Sequence, residues 1–335
     1  MAPTPTIRMG YRPELDAIRA VAAAVVVLDH AYVPGFDGGG LGVDVFFALS
    51  GFLITTILIE ELAERGTIRL GRFYARRARR LLPCLLAVVA FCVLTIQWLP
   101  AGTEAGIVPS LLYFTNWQRA LVGDVGALGH TWSLSVEEQF YLVWPLAMLL
   151  LARLPRMSAA QLCAAVAICV GVVRQVGGFD MDRAYNGTDL RSDGLLWGAA
   201  LAFALAAGWR PRIRAWVPIL VLLVSFTRWV PVGRAERGIV AVSACALIAV
   251  CLAGVAALRA RPLVWLGRRS YGLYLWHYPI TLLVLDHHDG PGQRALVVVA
   301  SVLAAWASYR WIEERWLYEP TRYTANHEEV PAALP

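Results

Sequence analysis

The 335-residue chain contains no lysine; all 30 of its basic residues are arginine. Charge of any kind is scarce, with Asp, Glu, Lys and Arg making up 16% of the residues, where an ordinary soluble domain carries about 25%. The six cysteines, Cys84, Cys92, Cys163, Cys169, Cys245 and Cys251, form no C-x-x-C pair and stand beside no histidine. That argues against a zinc site and against a disulfide framework, so no metal ligand is expected. Internal repeats, low-complexity segments and large polar insertions are also missing. The +6 net charge does not point to nucleic acid, because the arginines fall in short runs between apolar stretches, a topological pattern.

Apolar length takes the place of charge. Hydrophobic residues make up 58% of the chain, and mean hydropathy is +0.56. Stretches of about 20 apolar residues recur along it, each long enough to cross a bilayer as a helix. The alternating polar and apolar stripes of a soluble helix are largely absent. The spans are expected near 16–34, 41–62, 81–99, 136–153, 158–175, 192–208, 213–230, 238–257, 271–287 and 294–312. The fold class is therefore all-α, a polytopic membrane bundle of about ten transmembrane helices. The membrane domain is expected over 1–318, with a short polar cytoplasmic tail over 319–335. The first span is too long for a cleavable signal and carries Arg19 and His30, so it is expected to remain.

If every stretch crosses, most arginines collect on one side: Arg8 and Arg12, the run from Arg65 to Arg80, Arg153 and Arg156, Arg210 to Arg214, Arg259 to Arg269, and Arg315 with Arg322. Arg119, Arg174, Arg183, Arg234 and Arg294 fall on the other. Positive residues mark the cytoplasmic side. The expected protein is integral to the plasma membrane, multi-pass, with both termini cytoplasmic.

Charges inside a bilayer are costly and are usually paired or functional. The first span holds Asp16, Arg19, Asp29 and His30. Arg19 and His30 are eleven residues apart, about three helical turns and 16 Å, so they share one face. Histidine suits general-base work near neutral pH, and arginine is a permanent cation for an anion or a carbonyl oxygen. A snorkelling arginine and an interfacial histidine would give the same pattern. Asp29, adjacent in sequence, points about 100° away from His30. Glu137 or Glu138 is the better partner for the imidazole, although acidic residues after Thr131-Trp132-Ser133 also suit a helix start. Asp44 and Ser50 in the second span and the aromatic-flanked His277 are further candidates, with pairing or interfacial packing as the alternative. The glycines at 38–42 fit either a backbone cradle or a tight turn.

Several motifs occur in a fixed order. Tyr-Arg-Pro-Glu-Leu-Asp-Ala-Ile-Arg opens the first span and Leu-Asp-His-Ala closes it. Gly-Gly-Gly-Leu-Gly-Val-Asp-Val-Phe-Phe-Ala-Leu-Ser-Gly-Phe-Leu-Ile-Thr fills 38–55, and Arg-Phe-Tyr-Ala-Arg-Arg-Ala-Arg-Arg-Leu-Leu-Pro fills 72–83. Thr-Trp-Ser-Leu-Ser-Val-Glu-Glu-Gln-Phe-Tyr-Leu-Val-Trp-Pro stands at 131–145, Arg-Ser-Asp-Gly at 191–194, and Ser-Tyr-Gly-Leu-Tyr-Leu-Trp-His-Tyr-Pro-Ile at 270–280. In this order and spacing the chain resembles the acyltransferase-3 family of membrane acyltransferases over about residues 11–315.

The resemblance implies an enzyme with a ten-helix core that moves acetyl or longer acyl groups from acyl-CoA to a hydroxyl of a sugar, a surface glycan or a macrolide-like small molecule. Acyl-CoA is then a substrate, and no cofactor is bound permanently. The family's Arg-x10-His motif falls on Arg19 and His30. Its Arg-x-x-Arg motif falls on Arg76 with Arg79, or on Arg77 with Arg80. Many relatives add an extracytoplasmic hydrolase-like domain at the C-terminus; the chain ends at 335, and that contribution is expected to be absent or supplied by a partner. At 100° per residue Arg69, Arg72, Arg76, Arg79 and Arg80 fit within about a 100° arc, a surface for coenzyme A phosphates or for anionic lipid. His30 would act as general base or as acyl carrier. A transporter or flippase remains the alternative class, although no repeated pair of broken helices marks a transport site.

Overall fold

A computed structural model describes residues 9–227, 236–252, 254–285 and 290–317. Arg8, Arg234, Arg322 and the expected tail at 319–335 lie outside the described residues. No strand forms among those described. The helices begin with α1 (Pro13–His30), α2 (Gly42–Arg65), α3 (Leu70–Leu94), α4 (Thr103–Leu111), α5 (Thr115–Leu121), α6 (Trp132–Leu151) and α7 (Arg156–Val176). They continue with α8 (Met181–Asn186), α9 (Thr188–Arg191), α10 (Asp193–Ala206), α11 (Trp216–Phe226), α12 (Glu236–Leu252) and α13 (Arg261–Arg268). The last are α14 (Ser270–Leu285), α15 (Pro291–Ser308), a π turn over Tyr309–Glu313, and α16 (Glu314–Leu317).

Local chemistry accounts for the ends. Pro13 at the first turn of α1, with Glu14 and Asp16 close behind, suits a helix start, where the missing N–H costs nothing and acidic groups face the dipole. Gly66 ends α2 in the left-handed region at φ 70°, and its N–H returns to Leu62 O at 2.9 Å, a conformation glycine adopts freely.

A helix stands at each of the ten positions where a span was expected. The described helices do not confirm the count of about ten crossings, however. Among the described residues four helical stretches are long and apolar enough to cross a membrane: Gly39–Arg65, Gly126–Leu151, Arg156–Val176 and Pro291–Trp316. The others fall short for physical reasons. The 14 residues of α10 and 11 of α11 extend about 21 and 17 Å, against a hydrocarbon core of about 30 Å. α1 and α3 are longer but carry several charges each. The arginine strip at 69–80 and the span expected at 81–99 turn out to be one continuous helix, α3.

α2 is the centre of the bundle, with most of its length buried, and it packs closely against α10, which in turn packs on α7. Small residues make the α2–α10 approach possible. A Cβ on Gly51 would run into the Leu195 backbone carbonyl, and one on Gly198 into that of Ala48. Close backbone approach over small residues is how helices gain contact where lipid removes the hydrophobic drive. The glycines between α1 and α2 are likewise a packed turn: Gly39 lies against Val25 O and Gly42 against Ala22 O.

Gly198→Leu should therefore lower stability by at least the roughly 1–3 kcal/mol of an overpacked core, while Gly171→Ala, where nothing lies within 4 Å, should be neutral or gain up to about 1 kcal/mol. Thermal unfolding of the two variants in detergent checks this; equal midpoints would mean that the α2–α10 contact is not the one described.

Candidate active site

The arginines of α3 do not all face one way. Arg77 and Arg80, three residues apart, line a pocket together with Arg19 of α1. The pocket holds about 590 Å³ of empty space, part of it open to the outside, and runs between α2, α3, α6 and α14, past Ser50, Glu137, Tyr141 and Tyr271 to Tyr274. Three guanidinium groups thus share the pocket with the carboxylate of Glu137. Ser50 Oγ donates to Glu137 Oε1 at 2.5 Å. Arg77 stands 3.6 Å from Glu138 and 3.6 Å above the Tyr141 ring. The buried Nε of Arg19 has no hydrogen-bond partner among the described residues. The surplus cation and its open donor suit an anionic guest.

At the far end of the pocket, Tyr274 forms a wall. Its hydroxyl donates to His130 O at 2.8 Å and receives the Ser133 hydroxyl at 2.7 Å. Beside this ring three imidazoles gather. His30 Nδ1 lies 3.0 Å from His277 Nε2, and the His130 and His277 rings stand 5.6 Å apart. Tyr278 completes the cluster, 5.1 Å from the His30 ring and 5.2 Å from that of His130.

A proline builds this cluster. Pro279 inside α14 has no N–H, so the carbonyl four residues earlier, Leu275 O, lacks its helical donor. His130 Nε2 fills the gap at 3.1 Å. His277 Nδ1 bonds to Tyr274 O at 2.6 Å in the same turn. The segment from 99 to 131, in which no span was expected, folds as α4, α5 and a 3₁₀ turn over Gly126–Thr131. Hydroxyls of Ser110, Thr115 and Thr131 bond one another, and Arg119 holds Gly129 O at 3.0 Å. Those bonds set His130 in place.

A family model described as an acyltransferase domain matches residues 12–310. The chain belongs to the acyltransferase-3 family. Among its relatives are the peptidoglycan O-acetyltransferase OatA of Listeria monocytogenes serovar 1/2a, 32% identical over 90% of this chain and 55% of the relative, and the O-acetyltransferase OatA of Staphylococcus aureus strain NCTC 8325, 33% identical over 90% and 57%. The chain spans about half the length of the curated relatives it matches. No solved structure matches it.

The expected residues of this acyltransferase domain fall into separate groups. Arg19 and His30 lie on α1 but serve different compartments, the pocket and the imidazole cluster. Neither Glu137 nor Glu138 holds His30; that place belongs to His277. His130 and Glu137 are seven residues, about 10 Å, apart along their segment, which leaves the glutamates level with Arg77. Arg76 turns to Glu61 at 3.9 Å, and neither Arg76 nor Arg79 lines the pocket. Arg77, outside the arc read from the sequence, does. Asp29 accepts Gly40 N–H at 2.8 Å. His277 is fully buried, not interfacial.

Sequence reasoning missed His130 and Tyr274. His130 immediately precedes the Thr-Trp-Ser motif, and Tyr274 lies inside the Ser270–Ile280 motif, so each was within reach of a closer reading. It allowed Asp44 to pair with an arginine without naming which one. Arg191 NH1 sits 3.0 Å from Asp44 Oδ1, with both side chains buried, and Arg237 approaches to 3.8 Å. Next to them Arg174 grips Asp193 through two bonds of 2.8 and 2.7 Å. These pairs join α2, α7, α9, α10 and α12 behind the pocket wall.

Removing one member of a buried pair leaves the other charge unpaired and costs about 3–5 kcal/mol. Asp44→Ala should therefore sharply lower the thermal midpoint in detergent, and adding Arg191→Met should recover much of the loss. A double variant no more stable than the single one would remove this pair from the stability of the bundle.

Proposed function

We propose that the protein is a membrane O-acyltransferase that moves an acyl group, acetyl in the first instance, from acyl-CoA to a glycan hydroxyl. One observation carries this reading: a cation-rich pocket and an imidazole cluster both border a single ring, Tyr274. Arg77, Arg80 and Arg19 suit the phosphates of the donor, since guanidinium forks bind phosphate well. The histidines supply the base that a hydroxyl needs.

In the proposed reaction the donor enters at the arginine-rich end, taken as cytoplasmic by the positive-inside rule, and its thioester passes Tyr274 toward His30. His30 removes the proton of the acceptor hydroxyl while the oxygen attacks the thioester carbonyl. The C–S bond breaks, and the proton passes from His30 to the departing thiolate. Coenzyme A and the acyl ester are the products. Relatives named as peptidoglycan O-acetyltransferases favour a glycan acceptor over a macrolide-like molecule. The multi-pass arrangement with both termini cytoplasmic belongs to this proposal.

Purified protein given radiolabelled acetyl-CoA and soluble peptidoglycan fragments should label the fragments. His30→Ala should reduce transfer by about 10²–10⁴-fold, the usual worth of a general base. Movement of substrate without covalent label would favour the transporter reading. Replacing Arg77 and Arg80 by Gln should raise KM for acetyl-CoA about tenfold or more, with kcat less affected, because each lost charge-assisted bond is worth roughly 1.5–3 kcal/mol of uniform binding. A KM unchanged by both substitutions would exclude the pocket as the donor site.

A further inference from the structure

A histidine that acts as a base has two ring nitrogens, and in the neutral form one of them carries the proton. Which one is bare decides whether the base can reach its substrate. Here hydrogen bonding decides it. A backbone carbonyl can accept but never donate, so the 2.6 Å contact between His277 Nδ1 and Tyr274 O requires a proton on His277 Nδ1. A neutral His277 then has a bare Nε2. That nitrogen lies 3.0 Å from His30 Nδ1, and the bond exists only if His30 Nδ1 carries the hydrogen. His30 Nε2 is then left with the lone pair.

We propose that His277 is a positioning residue, which holds His30 in the Nδ1–H tautomer and so makes Nε2 the nitrogen that takes the acceptor proton. The proposal rests on His30 being the base of the transfer reaction. His277 is suited to the task because it is wholly buried, whereas His30 is partly open. No carboxylate competes for the role. Asp29 is engaged by Gly40, Glu137 by Ser50, and Glu138 faces Arg77. A second imidazole thus stands where many hydrolytic triads place a carboxylate.

The arrangement also handles the charge. When Nε2 takes the hydroxyl proton, the imidazolium keeps its Nδ1–H bond to His277 Nε2, and that proton can shift across the 3.0 Å contact. The positive charge is then shared by two rings. It returns to His30 when Nε2 gives up its proton to the coenzyme A thiolate, so the resting tautomers are restored. His130 steadies the relay, since its bond to Leu275 O holds the helical turn that presents the Tyr274 carbonyl.

The test reads the tautomer directly. The full chain with ¹⁵N-histidine is placed in lipid vesicles, and solid-state NMR separates protonated from bare ring nitrogens; the His30 signals are those lost in His30→Ala. Wild type should show His30 protonated at Nδ1 and bare at Nε2. In His277→Leu the proton should move to Nε2, and in His277→Gln, whose amide oxygen can accept, it should stay on Nδ1. In acetyl transfer from acetyl-CoA, His277→Leu should lose about 10²–10⁴-fold in kcat, the scale of a histidine held in the wrong tautomer, with KM for acetyl-CoA little changed. His277→Gln should recover a large part. A wild-type His30 protonated at Nε2 overturns the proposal, and this spectrum decides even if the variants do not fold. An unmoved tautomer or unchanged kcat in His277→Leu overturns it equally. If the tautomers are as expected and wild type transfers no acetyl group, the His277 relay stands and the acyltransferase reading is what fails.

Discussion

Charge carried into an apolar interior has to be met by charge or by a hydrogen bond from another helix, and this requirement governs how the bundle is put together. Leaving an ion unpaired in such surroundings costs several kcal/mol. Glu14, almost fully buried, meets Arg259 at 2.7 Å. Asp44 meets Arg191, and Asp193 meets Arg174. Each pair ties helices that are distant in the chain, and the glycines at 51 and 198 let α2 and α10 come close enough for the pairs beside them to form. The pocket departs from this rule. There Arg19, Arg77 and Arg80 outnumber the carboxylates, and an Arg19 donor is left open. Cations in excess at a cavity prepare that cavity for an anion.

A second economy of bonding makes the histidine cluster. Proline in the middle of a buried helix releases a carbonyl, and away from water that group must find another donor. Pro279 releases Leu275 O, and His130 takes it. The cost of the proline is thereby converted into the fixed position of an imidazole. The same turn offers Tyr274 O to His277 and Tyr274 OH to the 126–131 segment. α14 is in this way both the wall of the arginine pocket and the support of the histidines, which is why the two compartments share one residue.

Much of this was legible in the chain itself. Apolar runs placed a helix at each of the ten expected positions, because an apolar helix can be read from local composition and length. The ordered motifs placed the chain in its family, since they are local strings of residues. His30 and Arg19 could be put on one helical face, because the 3.6-residue period is a property of the backbone alone. The Asp29 side chain could be turned away from His30 by the same rule, and it bonds to Gly40 N–H.

What the sequence by itself determined, then, was the helices, their family and the residue types that chemistry would need. The tertiary structure alone decided which of them meet. Whether Arg76 or Arg77 enters the pocket depends on how α3 is rotated against α2 and α6, and a one-residue step turns the side chain by about 100°. Whether His30 is held by a carboxylate or an imidazole depends on a partner 247 positions away. Such contacts are set by the packing of whole helices, through glycine-sized gaps and buried pairs that no local window contains. The physical reason is range: propensity and hydropathy act over a few turns, whereas hydrogen bonds and ion pairs act between any two atoms that the fold brings within about 3 Å.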